Sequence, residues 1–150
     1  MTTHKYKLSL KSLNRLNGVD DSLVEVVKKA ILITEQDFTV LEGIRTPERQ
    51  QQLLEEGATK TLASKHLDGL AVDLGAWEQG QITWDLAYYI KIARAMRSAA
   101  KELGVTIRWG AAWHTHLGSA DPEQLSEDYV SLSKKLDRAP FIDAVHFELM

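Results

Sequence analysis

Two short stretches carry the residue types that could hold and use a metal ion. The first, Ser64-Lys65-His66-Leu67-Asp68-Gly69-Leu70-Ala71-Val72-Asp73, sets a histidine seven residues before an aspartate. The second, Asp143-Ala144-Val145-His146-Phe147-Glu148-Leu149, adds another histidine with an acid three residues ahead of it. Two imidazoles and a carboxylate, from His66, Asp73 and His146, suit a catalytic zinc ion, which takes three protein ligands and keeps a position for water. Zinc brings the pKa of that water toward neutrality and polarises a carbonyl. Hydrolysis also needs a group that takes the water proton and passes it to the leaving amine. Asp143 could approach the water without being a ligand, although alone it reads as a turn residue. Arg45 offers a permanent forked cation for an oxyanion or a substrate carboxylate, or else a surface ion pair with Glu42 or Glu48. Ser64 could hydrogen-bond substrate or cap its loop. The set suggests a small zinc hydrolase, a peptidase.

These residues must be positioned by the segments around them. Leu8, Leu10, Leu13 and Leu16 suggest a short helix ending before Gly18. Asp20 or Asp21 can cap the next helix, whose stripe Leu23, Val26, Val27, Ala30 and Ile31 reads as core. Residues 38–44 are β-prone and deliver Arg45 at their end. Thr46 then caps a helix with Pro47 at its first position, and Gly57 stops it. A polar loop, 58–65, leads to His66. Residues 70–74 read as a short strand with Ala71 and Asp73 on one face, and 75–81 as a turn region. Thr83 can cap the longest helix, 84–103, which Gly104 ends. A strand over 105–109, a loop over 110–120, a helix over 121–136 and a last strand over 144–149 complete the chain. On that last strand His146 and Glu148 share a face, while Val145, Phe147 and Leu149 point to the core. Without a regular βαβ rhythm the class is α+β, with four strands in a small antiparallel sheet and helices flanking it on one side.

The totals exclude other classes. A chain of 150 residues with 44% hydrophobic and 26% charged residues is most simply one soluble domain. With 18 basic and 21 acidic side chains the net charge is −3, which makes no case for nucleic acid. The basic cluster His4, Lys5, Lys7 and Lys11 reads as a solvated face. No cysteine is present, so disulfides, thiolate ligands and thiol nucleophiles are excluded. No apolar run is long enough for a membrane span, and the N-terminus does not read as a signal peptide. Any export must use another route.

The joint pattern Ser-x-His-x-x-Gly-x-Ala-x-Asp (64–73) and Asp-x-x-His-Phe-Glu (143–148) resembles the zinc D-alanyl-D-alanine carboxypeptidase and L-alanyl-D-glutamate endopeptidase family, especially small phage endolysins. Gly43-Ile44-Arg45-Thr46, with Gln50 or Gln51 following, resembles the family's arginine segment. The resemblance covers 38–149. It implies a hedgehog/DD-peptidase-like fold, zinc on His66, Asp73 and His146, Asp143 as the base where many relatives carry glutamate, and Arg45 on the intermediate or substrate. It also implies the peptidoglycan stem peptide as substrate, a monomer, and a wait in the host cytoplasm until a holin-like pore gives access to the wall.

One departure is Trp109-Gly110-Ala111-Ala112-Trp113-His114-Thr115-His116, where relatives often carry an acid. His114 and His116 could line the cleft, bind a second ion or sit in an exposed loop. Trp109 and Trp113 could wall the cleft or rim the core, and 117–139 could be a variable insertion. Three alternatives stand beside the endopeptidase. A D-alanyl-D-alanine carboxypeptidase would use the same site. A non-haem iron oxygenase would use the same ligand types, but usually with its first histidine and acid only two apart on an all-β barrel. A non-catalytic metal-containing cell-wall module would need neither Asp143 nor Arg45.

Overall fold

Five helices punctuate the chain among the described residues, and each starts on a side chain that accepts a backbone N–H. They are α1 (Leu10–Arg15), α2 (Asp21–Ile33), α3 (Pro47–Glu55), α4 (Leu86–Leu103) and α5 (Pro122–Lys135), capped by Ser9, Asp20, Thr46, Asp85 and Asp121. A cap of this kind is worth about 1 kcal/mol. The computed structural model describes residues 5–57 and 64–150, so His4 and positions 58–63 of the expected polar loop lie outside the described residues. The cap of α4 is Asp85 rather than Thr83. Thr83 is still in a strand, and its carbonyl accepts the Tyr89 hydroxyl at 2.7 Å. Asp85 accepts the Ala87 N–H at 3.0 Å and adds a negative charge, which a helix N-terminus favours.

The sheet has five strands, not four: β1 (Phe38–Glu42), β2 (Ala71–Glu78), β3 (Gln81–Thr83), β4 (Ile107–Trp109) and β5 (His146–Leu149). The stretch expected as a turn, 75–81, is mostly strand. β2 continues to Glu78, and only Gln79 and Gly80 turn, with φ of 51° and 81°. Two consecutive positive φ values make the type I′ turn that suits a tight hairpin. β4 and β5 each begin two residues later than their patterns suggested. The order is β1-β2-β5-β4, every pairing is antiparallel, and β3 joins β2. Ala76 pairs with both Phe38 and Thr83, which puts β3 on the β5 side of β2.

Period-two alternation divides the sheet into two faces. Phe38, Val40, Val72, Leu74, Ala76, Ile107, Trp109 and Phe147 are buried in one core with the apolar stripes of α2 and α4. The other face carries Asp73, His146, Glu148 and Arg108. The exposed edge of β1 would be an unpaired ladder, and α1 covers it. Ser12 Oγ accepts the Val40 N–H at 3.0 Å, and an Arg15 nitrogen donates to the Val40 carbonyl at 2.8 Å. The last turn of α1 lies so close to Gly43 that a Cβ there would collide with the Arg15 carbonyl oxygen and the Val19 side chain. Gly43→Ala is therefore expected to lower stability by about 1–3 kcal/mol through overpacking. A lower urea midpoint with an unchanged m-value is the readout.

Candidate metal centre

Asp73 sits inside the sheet, opposite Glu42 of β1 on one side and His146 of β5 on the other. His66 enters from a 3₁₀ turn, Lys65–Asp68, that Ser64 caps by accepting the His66 N–H at 3.2 Å. The His66 carbonyl accepts the Arg45 N–H at 2.9 Å, which ties this turn to the end of β1. Residues 42–45, 66–73 and 146, distant in sequence, thus meet. Asp73 Oδ1 lies 3.1 Å from His66 Nε2 and 3.3 Å from His146 Nδ1. The two imidazole rings stand edge to face, 5.0 Å between centroids. One potential ligand atom from each residue lies within 4.8 Å of the others.

The far side of each ring decides what the near side offers. His66 Nδ1 is 2.8 Å from the Gly43 carbonyl, which only accepts, so Nδ1 carries the proton. His146 Nε2 is 2.8 Å from Glu148 Oε1, which likewise takes a donated proton. Neutral rings then aim lone pairs from Nε2 of His66 and Nδ1 of His146 at a carboxylate oxygen. Three acceptors converging in a largely buried place need a cation or a proton among them. The donor set fits a divalent metal ion, with each imidazole oriented by an outer partner, as metal-binding histidines usually are.

Without a metal, protons take that role. Burial disfavours charge on His146, but hydrogen bonds to Asp73 and Glu148 outweigh it and push its pKa up to about 9. Burial would raise Asp73, yet hydrogen bonds from His146 and His66 hold it well below the usual carboxylate range. Glu148 also resists its burial: His146 and Arg108 bring it down to about 2. Its Oε2 receives Arg108 at 2.8 Å and lies 3.3 Å from Lys65 Nζ, which also donates to the Leu149 carbonyl.

Asp143 stands just before β5. Its N–H donates to the Gly110 carbonyl at 2.8 Å, and its own carbonyl accepts the His146 N–H at 3.0 Å. Gly110 N–H in turn donates to the His146 carbonyl at 2.8 Å, and a Cβ on Gly110 would collide with the Asp143 backbone. Burial, then the charge of Asp73, raises the Asp143 pKa, against the pull of His146, His66 and Arg45.

Arg45 is not a surface residue, since its side chain is 7% exposed. It grips Glu42 through two bonds of 2.6 and 3.0 Å, donates to Gln50 at 2.7 Å, and reaches 3.7 Å from Asp73 Oδ2.

The aromatic residues separate. Trp109 is a fully buried core residue stacked on Phe147. Trp113 lies beside the His146 ring, 5.2 Å between centroids, with the Arg108 guanidinium over it. His114 and His116 are exposed, and His114 stacks on Tyr129. They share no strand. Among the described residues, the one group able to hold a metal is His66, Asp73 and His146. Sequence reasoning gave no role to Gly43, Lys65, Arg108, Gly110 or Glu148. Only Glu148 had a usable signal, its period-two position on the face of His146.

The family described as phage L-alanyl-D-glutamate peptidase matches residues 4–150. The chain belongs to this family. It is 33% identical to the L-alanyl-D-glutamate peptidase of Escherichia phage T5 over 113 residues, 73% of this chain and 82% of that protein. It is 30% identical to the enzyme of the same name from Listeria phage A118 over 132 residues, 86% of this chain but 44% of that longer protein. The crystal structure of Serratia marcescens L-Ala D-Glu endopeptidase ChiX superposes with a TM-score of 0.74 at 31% identity, covering 97% of this chain and 92% of that one. In this member of the phage peptidase family the α+β fold and the compact histidine–aspartate group therefore occur together.

The electrostatics of the centre give a pH test. A histidine pKa raised from 6.5 to about 9 stabilises the metal-free fold fully below pH 6.5, and this contribution is lost as pH rises through 9. The melting temperature of chelator-treated protein is expected to fall between pH 7 and 9.5. Adding a divalent metal, which replaces the proton on His146, is expected to flatten that fall.

Proposed function

We propose that this chain is a zinc-dependent endolysin that hydrolyses the L-alanyl-D-glutamate bond of the peptidoglycan stem peptide. The observation that carries the reading is the convergence of His66 Nε2, Asp73 and His146 Nδ1 with both outward N–H groups already engaged. Nitrogen and carboxylate donors without thiolate suit zinc in a catalytic site. Bound zinc supplies an acidified water and polarises the scissile carbonyl.

The remaining steps belong to the chain. Asp143 takes the proton of the attacking water and passes it to the D-glutamate amine. Its burial beside Asp73 raises its proton affinity, as a base working near neutral pH requires. Aspartate is one methylene shorter than glutamate, and the backbone bonds to Gly110 and His146 draw it toward the centre. Arg45, locked by Glu42 and Gln50, sets a fixed positive charge beside the reacting carbonyl. Ser64 uses its hydroxyl proton on substrate while its oxygen caps the 3₁₀ turn. Asp143 and Arg45 at the same centre support catalysis over a binding module, and the names of the relatives support the endopeptidase over the carboxypeptidase. All these residues come from one chain, so a monomer suffices. No helix among the described residues is long and apolar enough to cross a membrane. The enzyme waits in the host cytoplasm and reaches the wall through a holin-like pore.

Digestion of purified muropeptides tests the reading. The zinc-loaded protein is expected to release fragments cut between L-alanine and D-glutamate, and a chelator to stop it. An uncut stem peptide would sink the proposal. His66→Ala and His146→Ala are expected to lose both zinc and turnover. Asp143→Asn is expected to keep zinc and lose about 10²–10⁴ in kcat, measured with metal content on the same sample.

A further inference from the structure

The outer face of the sheet continues past the metal centre. Alternation along β2 brings Asp73, Gly75 and Trp77 to that face. Leu41 of β1 lies directly against Gly75, and Ile82 of β3 pairs with Trp77. Beyond Leu41 a groove of about 610 Å³ opens between this face and the α1 side, lined by Trp77, Ile82, Leu41, Lys7, Lys11 and Asp37 among others. Trp77 is 41% exposed. Lys7 and Lys11 belong to the basic cluster of the N-terminal segment, and the hydrolytic site uses neither.

We propose that this groove is a glycan subsite, which holds an N-acetylated sugar of the strand that carries the peptide. The inference rests on the peptidoglycan peptidase reading above. Its chemistry is that of a neutral, polyhydroxylated ligand. The indole of Trp77 and the side chain of Ile82 offer a flat apolar surface to the hydrophobic face of a pyranose ring. Lys7 and Lys11 donate to hydroxyl and acetamido oxygens, and Asp37 accepts from hydroxyls. Arg15, also in the lining, is committed to the Val40 carbonyl, so a purely anionic ligand would meet the two lysines but also the Asp37 carboxylate, and a purely apolar one would leave Lys7, Lys11 and Asp37 unused. The volume suits one or two sugar rings.

Distance supports the same occupant. Trp77 lies four residues along β2 from Asp73, about 13 Å at the strand rise. In the substrate, one alanine and a short acyl link separate the cleaved bond from the sugar, about 7 Å of extended chain. With the scissile carbonyl at the metal centre, a pyranose ring about 5 Å across brings the span to about 12 Å, which reaches the near edge of the groove.

Two readouts test the subsite. The first is the KM of the zinc-loaded protein for a disaccharide-linked stem peptide and for the same peptide without sugar. Wild type is expected to show a KM about five- to tenfold lower for the sugar-linked form. Trp77→Ala, and separately the double variant Lys7→Ala/Lys11→Ala, are expected to erase that advantage while kcat and the free-peptide KM stay unchanged. Trp77→Phe is expected to restore it. Equal KM values in wild type, or an equal loss on both substrates in Trp77→Ala, would overturn the subsite, the latter by assigning the groove to peptide. The second readout is calorimetric binding of a peptide-free amino-sugar tetrasaccharide, which does not depend on turnover. Binding that Trp77→Ala weakens supports the subsite even if no peptide is cut, in which case only the peptidase reading fails. No binding, with both substrates cut, overturns the subsite alone.

Discussion

A single carboxylate oxygen, Oδ1 of Asp73, faces ring nitrogens of two histidines at 3.1 and 3.3 Å. Left to themselves in a poorly hydrated place, three acceptors would repel, so much of the surrounding structure counters that repulsion. Gly43 and Glu148 fix the outward protons of the rings. Arg108 and Lys65 then neutralise Glu148, and Glu42 and Gln50 hold Arg45 toward Asp73. The shell is held in turn by strand register. Glu42, Asp73 and His146 stand abreast across three strands, and Glu148 stands between Ala71 and Arg108. A one-residue slip of β5 would turn both His146 and Glu148 into the core and Phe147 out of it. The apolar face thus sets the polar geometry.

Close backbone approach does the rest. Gly43 lets α1 pack against the loop that presents its carbonyl to His66, and Gly110 lets the segment before β5 fold onto β4. In both places a missing side chain allows two backbones to meet, and a centre residue hangs from the contact. Stability and site geometry are therefore not separable there. The seal between α1 and β1 has a similar double effect, since it closes the sheet edge and places Lys11 along the outer face.

How legible each part was follows from where its information lies. That His66, Asp73 and His146 come together could be read because candidate ligand types are few and the period of two assigns faces. The core stripe of α2 could be read for the same kind of reason. β3 could not, because its turn is Gln79-Gly80 rather than the more telling Asn-Gly or Asp-Gly, and a three-residue strand has little pattern. Thr83 as a cap was reasonable locally, and lost to Asp85 only because the hairpin keeps Thr83 in the sheet. The roles of Gly43, Gly110 and Arg108 depend on segments that meet only after folding. For Arg45 the sequence left a site cation and a surface ion pair side by side, because its burial comes from Glu42 of β1, Gln50 of α3 and Asp73 of β2 together.

The placement of β5 between β2 and β4 has a consequence for how the molecule comes into being. Its neighbours are fixed by residues 71–78 and 107–109, yet the strand itself is 146–149. The middle of the sheet is therefore closed by a contact of long sequence separation, which is slow to form because a large loop must be ordered first. Until it forms, β2 presents an open edge where His146 belongs, and His66 and Asp73 have no third partner. The histidine–aspartate group is incomplete in every partly folded form that lacks this strand. Closure of the metal-binding group and completion of the sheet arrive in the same step.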